Sequence, residues 1–314
     1  MGSYDSISLW LPAERAGVAD ISLQVASKLT GATQYIQRNG VESYAGYLGN
    51  NLRARVSQQG LSVKGSISKY FLSNNVECLT RATTEQAIEK LSDELCLPMQ
   101  KAKLSSMAYA LNLVVKEKPQ AYFPILGDSR YFNRSLFGST LYYINSNRKI
   151  RFYDKLKECK RTLHELPAAL QGLNMLRIEL ELSKKLTYQF NLSEVTVGHL
   201  YEESFYMAMI DKLCNEYQAI RKNKIIQLNF STMNSPKDFW QQAQADWIQK
   251  IGGEASALSI VENLRKQEAF KNSEYYSRLK KEIKTISTLP ALTQDSPLIE
   301  ELDEKINRVK SYYR

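Results

Sequence analysis

The segment Asn174 to Leu182 constrains the fold of this chain more than any other. Leu176, Ile178, Leu180 and Leu182 recur at a spacing of two, and Arg177, Glu179 and Glu181 fill the positions between them. That spacing belongs to a β-strand, whose side chains point alternately to opposite faces, so the segment has one apolar face and one charged face. Two further segments repeat the pattern. Leu104 to Val115 sets Met107, Tyr109, Leu111, Leu113 and Val115 against Ser106, Ala108, Ala110 and Asn112. Lys149 to Tyr153 sets Ile150 and Phe152 against Lys149, Arg151 and Tyr153. Three such strands predict a sheet with one face on a core and a small, polar, charged opposite face.

The surrounding sequence extends this sheet. Tyr4 to Leu11 alternates, and Leu52, Ala54, Val56 and Leu61, Val63 alternate on either side of Gln59-Gly60, which predicts a hairpin with Arg53, Arg55, Ser62 and Lys64 on its other face. A helix is expected over Thr84 to Cys96, a strand over Ser139 to Ile144, and short helices after Asp154 and around Pro119. Beyond about Lys185 the period changes. His199 to Ile220 is amphipathic at helical spacing, and Ser235-Pro236 reads as a cap followed by Pro in the first turn, with Gly252-Gly253 as the stop. Polar helical stretches then cover Glu254 to Ile286 and Pro297 to the C-terminus, separated by a Thr/Pro-rich linker over Ser287 to Ser296. The expected fold class is α+β: an antiparallel-sheet domain over residues 1–190, followed by a helical C-terminal region over 191–314.

Composition narrows the function. With 43% hydrophobic and 24% charged residues, neither disorder nor a coiled coil fits. No apolar run is long enough to span a bilayer, and MGSYDSISLWLP lacks a basic stretch followed by an apolar one, so a cytoplasmic protein with no membrane partner is expected. Cys78, Cys96, Cys159 and Cys214 form no CxxC pair, which argues for reduced thiols. Lys plus Arg number 42 against 33 Asp plus Glu, a net charge of +9 that makes a polyanionic partner plausible. Histidines are limited to His164 and His199, far apart in sequence and read as helix-surface or core residues, so any metal must rest on carboxylates.

If the polar faces of the three strands line one side of one sheet, a tyrosine hydroxyl, carboxylates and cations converge. Those groups suit phosphodiester transfer to tyrosine: a phenolic nucleophile, a carboxylate-held divalent metal to polarise the phosphate, and Arg or Lys to stabilise its oxygens. The blander reading is a half-buried strand tyrosine beside a cross-strand ion pair of Arg177 with Glu179.

The segments KLSSMAYALNLVV (Lys103 to Val115), KIRFYDKLKE (Lys149 to Glu158) and NMLRIELELSKKL (Asn174 to Leu186) resemble, in order and rough spacing, segments of the filamentous-phage gene-two replication endonucleases and related rolling-circle plasmid initiators. YDSISLWLP and LRARVSQQGLSVKGSISKYFLSNN look like the phage and plasmid branch of the same family, and the resemblance covers about residues 4 to 215. Such proteins nick one strand of origin DNA, join its 5′ end to a tyrosine and leave a 3′ hydroxyl for a polymerase. The resemblance places the nucleophile on Tyr153, flanked by Arg151 and Lys155, and a metal-binding glutamate on Glu179, with Glu181 next along the acidic face. Its first acidic ligand falls on Ala108, which cannot bind a metal, so the implied magnesium or manganese site is one ligand short and impaired cleavage is expected. Natural loss and an engineered Asp-to-Ala change both explain this, and Met1-Gly2-Ser3 reads as a cloning remnant ahead of Tyr4.

For DNA, both as origin duplex and as single strand, the expected contacts are Arg53, Arg55, Lys64, Arg148, Lys149, Arg177, Lys184 and Lys185, with Tyr142, Tyr143 and Phe152 interleaved near the cluster from Arg148 to Arg161. The KNSEYYSRLKKEIK run in the tail reads as a solvated helix. Analogy adds a host helicase and polymerase as partners, and a homodimer. A conjugative relaxase shares the chemistry; a non-catalytic origin-binding or copy-control protein is the reading that Ala108 favours.

Overall fold

The computed structural model describes residues 2–49, 51–162, 168–226, 233–289 and 293–312. The chain opens on β1 (Gly2–Pro12), the short helices α1 (Ala13–Ala16) and α2 (Ile21–Ala26), and four strands: β2 (Thr30–Ile36), β3 (Glu42–Leu48), β4 (Leu52–Ser57) and β5 (Gly60–Ser66). Then follow α3 (Ile67–Leu72), α4 (Arg81–Leu95), the long strand β6 (Lys103–Val115), β7 (Leu126–Ser129), β8 (Asn133–Phe137), β9 (Thr140–Ile144), β10 (Arg148–Asp154), α5 (Lys155–Thr162) and β11 (Asn174–Leu182). The remainder is α6 (Leu186–Phe190), α7 (Glu203–Gln218), β12 (Ile220–Lys222), β13 (Ile225–Ile226), α8 (Pro236–Lys250), α9 (Glu254–Lys266), α10 (Glu274–Ile286), β14 (Thr293–Gln294) and α11 (Pro297–Tyr312).

One 10-stranded sheet organises the molecule, in the order β2-β3-β4-β5-β1-β6-β11-β10-β9-β8, with every pairing antiparallel. The three patterned strands are neighbours at its centre, as their matching faces require. Their apolar sides face a core that includes Tyr109, Leu111, Ile150, Phe152, Ile178 and Leu180. The hairpin lies where Gln59-Gly60 predicts it, and α4 begins behind Thr80, whose side chain accepts from the Thr83 amide at 3.2 Å. β2 carries no alternation because every one of its residues is exposed, which is why the sequence pattern does not show it.

Three expectations change. Gly2 and Ser3 are not an appendage: both are buried in β1, paired with Leu111 and Ala110, and the Gly2 carbonyl accepts from the Tyr206 hydroxyl at 3.2 Å. A Cβ at Gly2 would lie 2.5 Å from Leu111 Cδ2 and 2.6 Å from the Tyr109 hydroxyl, so a larger residue would require these buried side chains to shift. The helix expected from His199 begins at Glu203; Val197–Tyr201 is instead a 3-10 turn capped reciprocally by Thr196 and His199. The long polar stretch from Glu254 is two helices, α9 and α10, and the linker contributes β14, which pairs with β13.

Packing joins the tail to the sheet. Phe205, Met209 and Leu213 of α7 and Ile299, Leu302 and Ile306 of α11 enter the same core as the sheet's apolar face. Glu301 of α11 accepts from the Tyr122 hydroxyl at 2.6 Å and the Lys116 amide at 3.0 Å. A division at residue 190 therefore cuts through a shared core, whereas α8, α9 and α10 gather a small core of their own around Ala245, Ala257 and Ile283. Leu302→Ala should lower unfolding free energy by about 2–5 kcal/mol, as for a fully buried leucine, read by urea denaturation. A loss under about 0.5 kcal/mol, the range of surface changes, would show that α11 is not part of the folded core.

Candidate active site

The polar face of the central strands is built by register. Tyr153 of β10 stands opposite Arg177 of β11, Arg151 opposite Glu179, and Lys149 opposite Glu181. Across the other edge of β11, Arg177 faces Asn112, Glu179 faces Ala110 and Glu181 faces Ala108. Position 108 thus stands opposite Glu181, a choice between Glu179 and Glu181 that strand alternation alone leaves open. Beyond β6, the step from Tyr4 opposite Tyr109 to Ile7 opposite Met107 leaves Asp5 and Ser6 facing the single residue Ala108, a β-bulge that turns Asp5 toward Arg177.

Arg177 is the hub. It is 1% exposed; one terminal nitrogen donates to Asp5 Oδ2 at 2.6 Å and the other to Asn112 Oδ1 at 3.0 Å and the Asn75 carbonyl at 3.1 Å. Glu179, 2% exposed, lies 3.8 Å from the Arg177 Nε, pairs closely with Arg151, and accepts from the Tyr153 hydroxyl at 3.3 Å. The segment around Asn75 and α5 roofs this end of the face: Asn112 donates to the Val76 carbonyl at 2.7 Å, and Val76, Leu156, Cys159 and Met175 form a small apolar cluster above the sheet. Farther along, the face opens, where Arg151 is 29% exposed and Glu181 pairs with Lys149 at 2.8 Å.

Electrostatics follow from this burial. Desolvation raises the Tyr153 pKa well above the ordinary phenol range; Arg177 offsets part of that and Glu179 adds to it, so the resting side chain is a neutral phenol. Burial also pushes the Asp5 carboxyl up, but Arg177, the Ser66 hydroxyl and Lys155 outweigh it and hold it below its ordinary value of 3.8. Arg177 stays charged despite desolvation because Asp5 and Glu179 face it.

Several expected roles move. Lys155 is 0% exposed, its ammonium held by Asn75 Oδ1 at 2.7 Å and Glu158 at 2.6 Å, so it supports the roof and does not reach a phosphate beside Tyr153. Buried Arg177 is likewise no DNA contact. Arg148 shares the core-side parity of Ile150 and pairs with Glu216 of α7, away from the groove. Lys184 and Lys185 are exposed in the turn before α6. Arg53, Arg55 and Lys64 are exposed on the polar face, and Asp154 caps α5 by accepting from the Lys157 amide at 2.9 Å. His164 lies outside the described residues. Pattern reading missed Asp5 and Asn75; Asp5 left a trace as the lone acid inside an alternating strand.

A metal does not fit the donors present. Among the described residues no three His, Cys, Asp or Glu side chains are placed to share an ion. Glu179 and Glu181 are each engaged by cations, and Ala108 and Ala110 supply no oxygen.

The family described as replication-associated protein G2P, N-terminal, matches residues 4–204, from β1 into the first turn of α7 and thus the whole of this site. The chain belongs to that family. G2P membership makes it a phage replication-initiator protein and a DNA-binding one. No curated protein matches the chain. Among the described residues of this G2P-family chain, no helix is long and apolar enough to cross a membrane.

The Asp5–Arg177 pair yields a pH test. A depressed folded pKa stabilises the protein fully above the ordinary value of 3.8, and that contribution is lost as pH falls through the folded value. Asp5→Asn should cost about 3–5 kcal/mol at pH 7 by removing the closest counter-charge of the buried guanidinium, and should flatten the acid limb of stability measured by urea denaturation between about pH 5 and 2. Parallel acid limbs in the variant and the parent would contradict the pairing.

Proposed function

We propose that this protein initiates phage DNA replication by nicking one strand of origin DNA through Tyr153. The observation that carries the reading is the Tyr153 hydroxyl donating to Glu179 at the boundary between the roofed cluster and the open groove. In the step, the phenol oxygen bonds to phosphorus, the bond from phosphorus to the 3′ oxygen breaks, and the phenol proton passes to Glu179. The departing 3′ oxygen takes a proton from water. Because burial removes any standing phenolate, a base in contact with the hydroxyl is required, and Glu179 is that base. Arg151, the part-exposed cation of the cluster, turns to the non-bridging oxygens as charge develops there. The 5′ end remains on Tyr153, and the free 3′ hydroxyl serves a host polymerase while a host helicase opens the duplex; a second subunit on the origin completes the analogy with plasmid initiators. A relaxase would use the same chemistry, and family membership favours replication.

No step here runs through magnesium or manganese, because the donors are short. The same shortage favours a second reading, a non-catalytic origin-binding protein. An aspartate at 108 separates the two, since it would stand beside Glu181 and the Asp5–Ser6 bulge and complete a cluster of oxygens suited to a hard cation. Ala108→Asp should melt at a lower temperature than the parent in chelator, regain the loss on adding manganese, and nick supercoiled origin plasmid faster. In that background Tyr153→Phe should abolish covalent protein–DNA adducts while affinity for DNA stays within about twofold, since one phosphate contact is worth little by itself. Persistent adducts in Tyr153→Phe would remove Tyr153 from the role; an Ala108→Asp variant destabilised equally with and without manganese, and inert on plasmid, would support the non-catalytic reading.

A further inference from the structure

The polar face does not end at the candidate nick site. It continues across β1, β5, β4, β3 and β2, and its register sets out two rows: Ser8, Lys64, Arg53 and Tyr47, then Trp10, Ser62, Arg55 and Ala45. Past the second row, the tip of the β2–β3 hairpin adds Tyr35 and Arg38, and the surface closes into a cavity of about 600 Å³ lined by Trp10, Tyr35, Arg38, Arg55 and Ser62 among others, with no acidic side chain in its wall.

Three properties set this cavity apart from the nick site. First, its cations are free of carboxylates: among the described residues neither Arg38 nor Arg55 of its wall, nor Arg53 and Lys64 in the adjoining row, makes a salt bridge, whereas Lys149, Arg151, Lys155 and Arg177 all do. Second, its aromatics are uncommitted, since neither Trp10 nor Tyr35 packs against another ring among the described residues. Third, the Trp10 ring is set in place by the β4–β5 turn. Gly60 has φ +149°, and a Cβ there would lie 2.7 Å from Trp10 Cζ2 and 2.4 Å from the Leu11 carbonyl, so glycine lets the ring lie against the turn.

We propose that this cavity is a subsite for single-stranded DNA, in which bases stack on Trp10 and Tyr35 while Arg38 and Arg55 hold the adjoining phosphates. Unpaired arginines beside accessible aromatic faces suit a strand whose bases are unstacked, and duplex DNA does not offer its base faces this way. Counted from Tyr153 on β10, Trp10 lies three strand spacings away on β1, Arg55 five on β4 and Tyr35 seven on β2, about 14 to 34 Å at roughly 4.8 Å each, so the subsite grips the strand away from the scissile phosphate. It rests on the reading that this face carries the strand to be cut, and it deepens that reading by naming what holds the strand in line.

Binding of a fluorescein-labelled oligothymidylate and of a blunt duplex to the full chain tests it. Tyr35→Ala, at an exposed hairpin position, should weaken oligothymidylate binding on the order of tenfold, the loss expected for one stacked base, and leave duplex binding within twofold. Arg38→Ala with Arg55→Ala should lower the slope of log affinity against log salt by about 0.7 for each phosphate contact removed. Oligonucleotides bearing 5-iodouracil should photo-crosslink to Trp10 or Tyr35 in the unaltered protein, a readout independent of variant folding. If the unaltered protein forms tyrosine adducts but crosslinks elsewhere and the variants bind oligothymidylate normally, the subsite is wrong and the nicking reading stands. An equal loss on duplex would reduce the cavity to a phosphate-binding surface and overturn the stacking role. Failure of the unaltered protein to bind single strands would overturn both.

Discussion

The buried guanidinium of Arg177 is the constraint on which the rest of the site depends. Removing a cation from water costs several kcal/mol, and opposite charges and hydrogen bonds must offset it. Here those partners come from four places: Asp5 on β1, Asn112 on β6, Glu179 on β11 and the Asn75 carbonyl in the roof. The charge therefore ties the first strand of the chain to its central strands and closes the segment around Asn75 over them. It also orients Glu179, which then meets the Tyr153 hydroxyl. Without the bulge at Asp5 and Ser6 the alternation of β1 would not present Asp5 to this hub.

Charge is distributed unevenly along one continuous face. At the roofed end, Lys149, Arg151, Lys155 and Arg177 are matched by Asp5, Glu158, Glu179 and Glu181, so that region carries little net charge. At the hairpin end, Arg38, Arg53, Arg55 and Lys64 carry no matching carboxylates among the described residues. Positive potential along the face is therefore concentrated at the hairpin end, and the Tyr153–Glu179 contact lies at the neutral end. Ala108 and Ala110 form the low floor between the two regions, flanked by longer charged side chains.

The strict alternation in Asn174 to Leu182, Lys149 to Tyr153 and Leu104 to Val115 determined an antiparallel sheet with one apolar and one polar face, and with it the placing of Tyr153, Arg151, Glu179 and Glu181 on the same side. That much follows from a period of two, which is a property of the backbone and needs no tertiary context. The hairpin at Gln59-Gly60 and the cap at Asp154 were legible for the same reason: each is local. Register is not local. Only pairing of the whole sheet decided that residue 108 stands beside Glu181, that Asp5 reaches Arg177 through a bulge, and that Arg148 turns away from the groove. Burial is not local either. A lysine and an arginine in a basic run look alike in sequence, yet the roof over Lys155 and Arg177 makes them structural, while Arg53 and Arg55 stay exposed at the surface, because desolvation depends on what folds over a side chain and not on its neighbours along the chain.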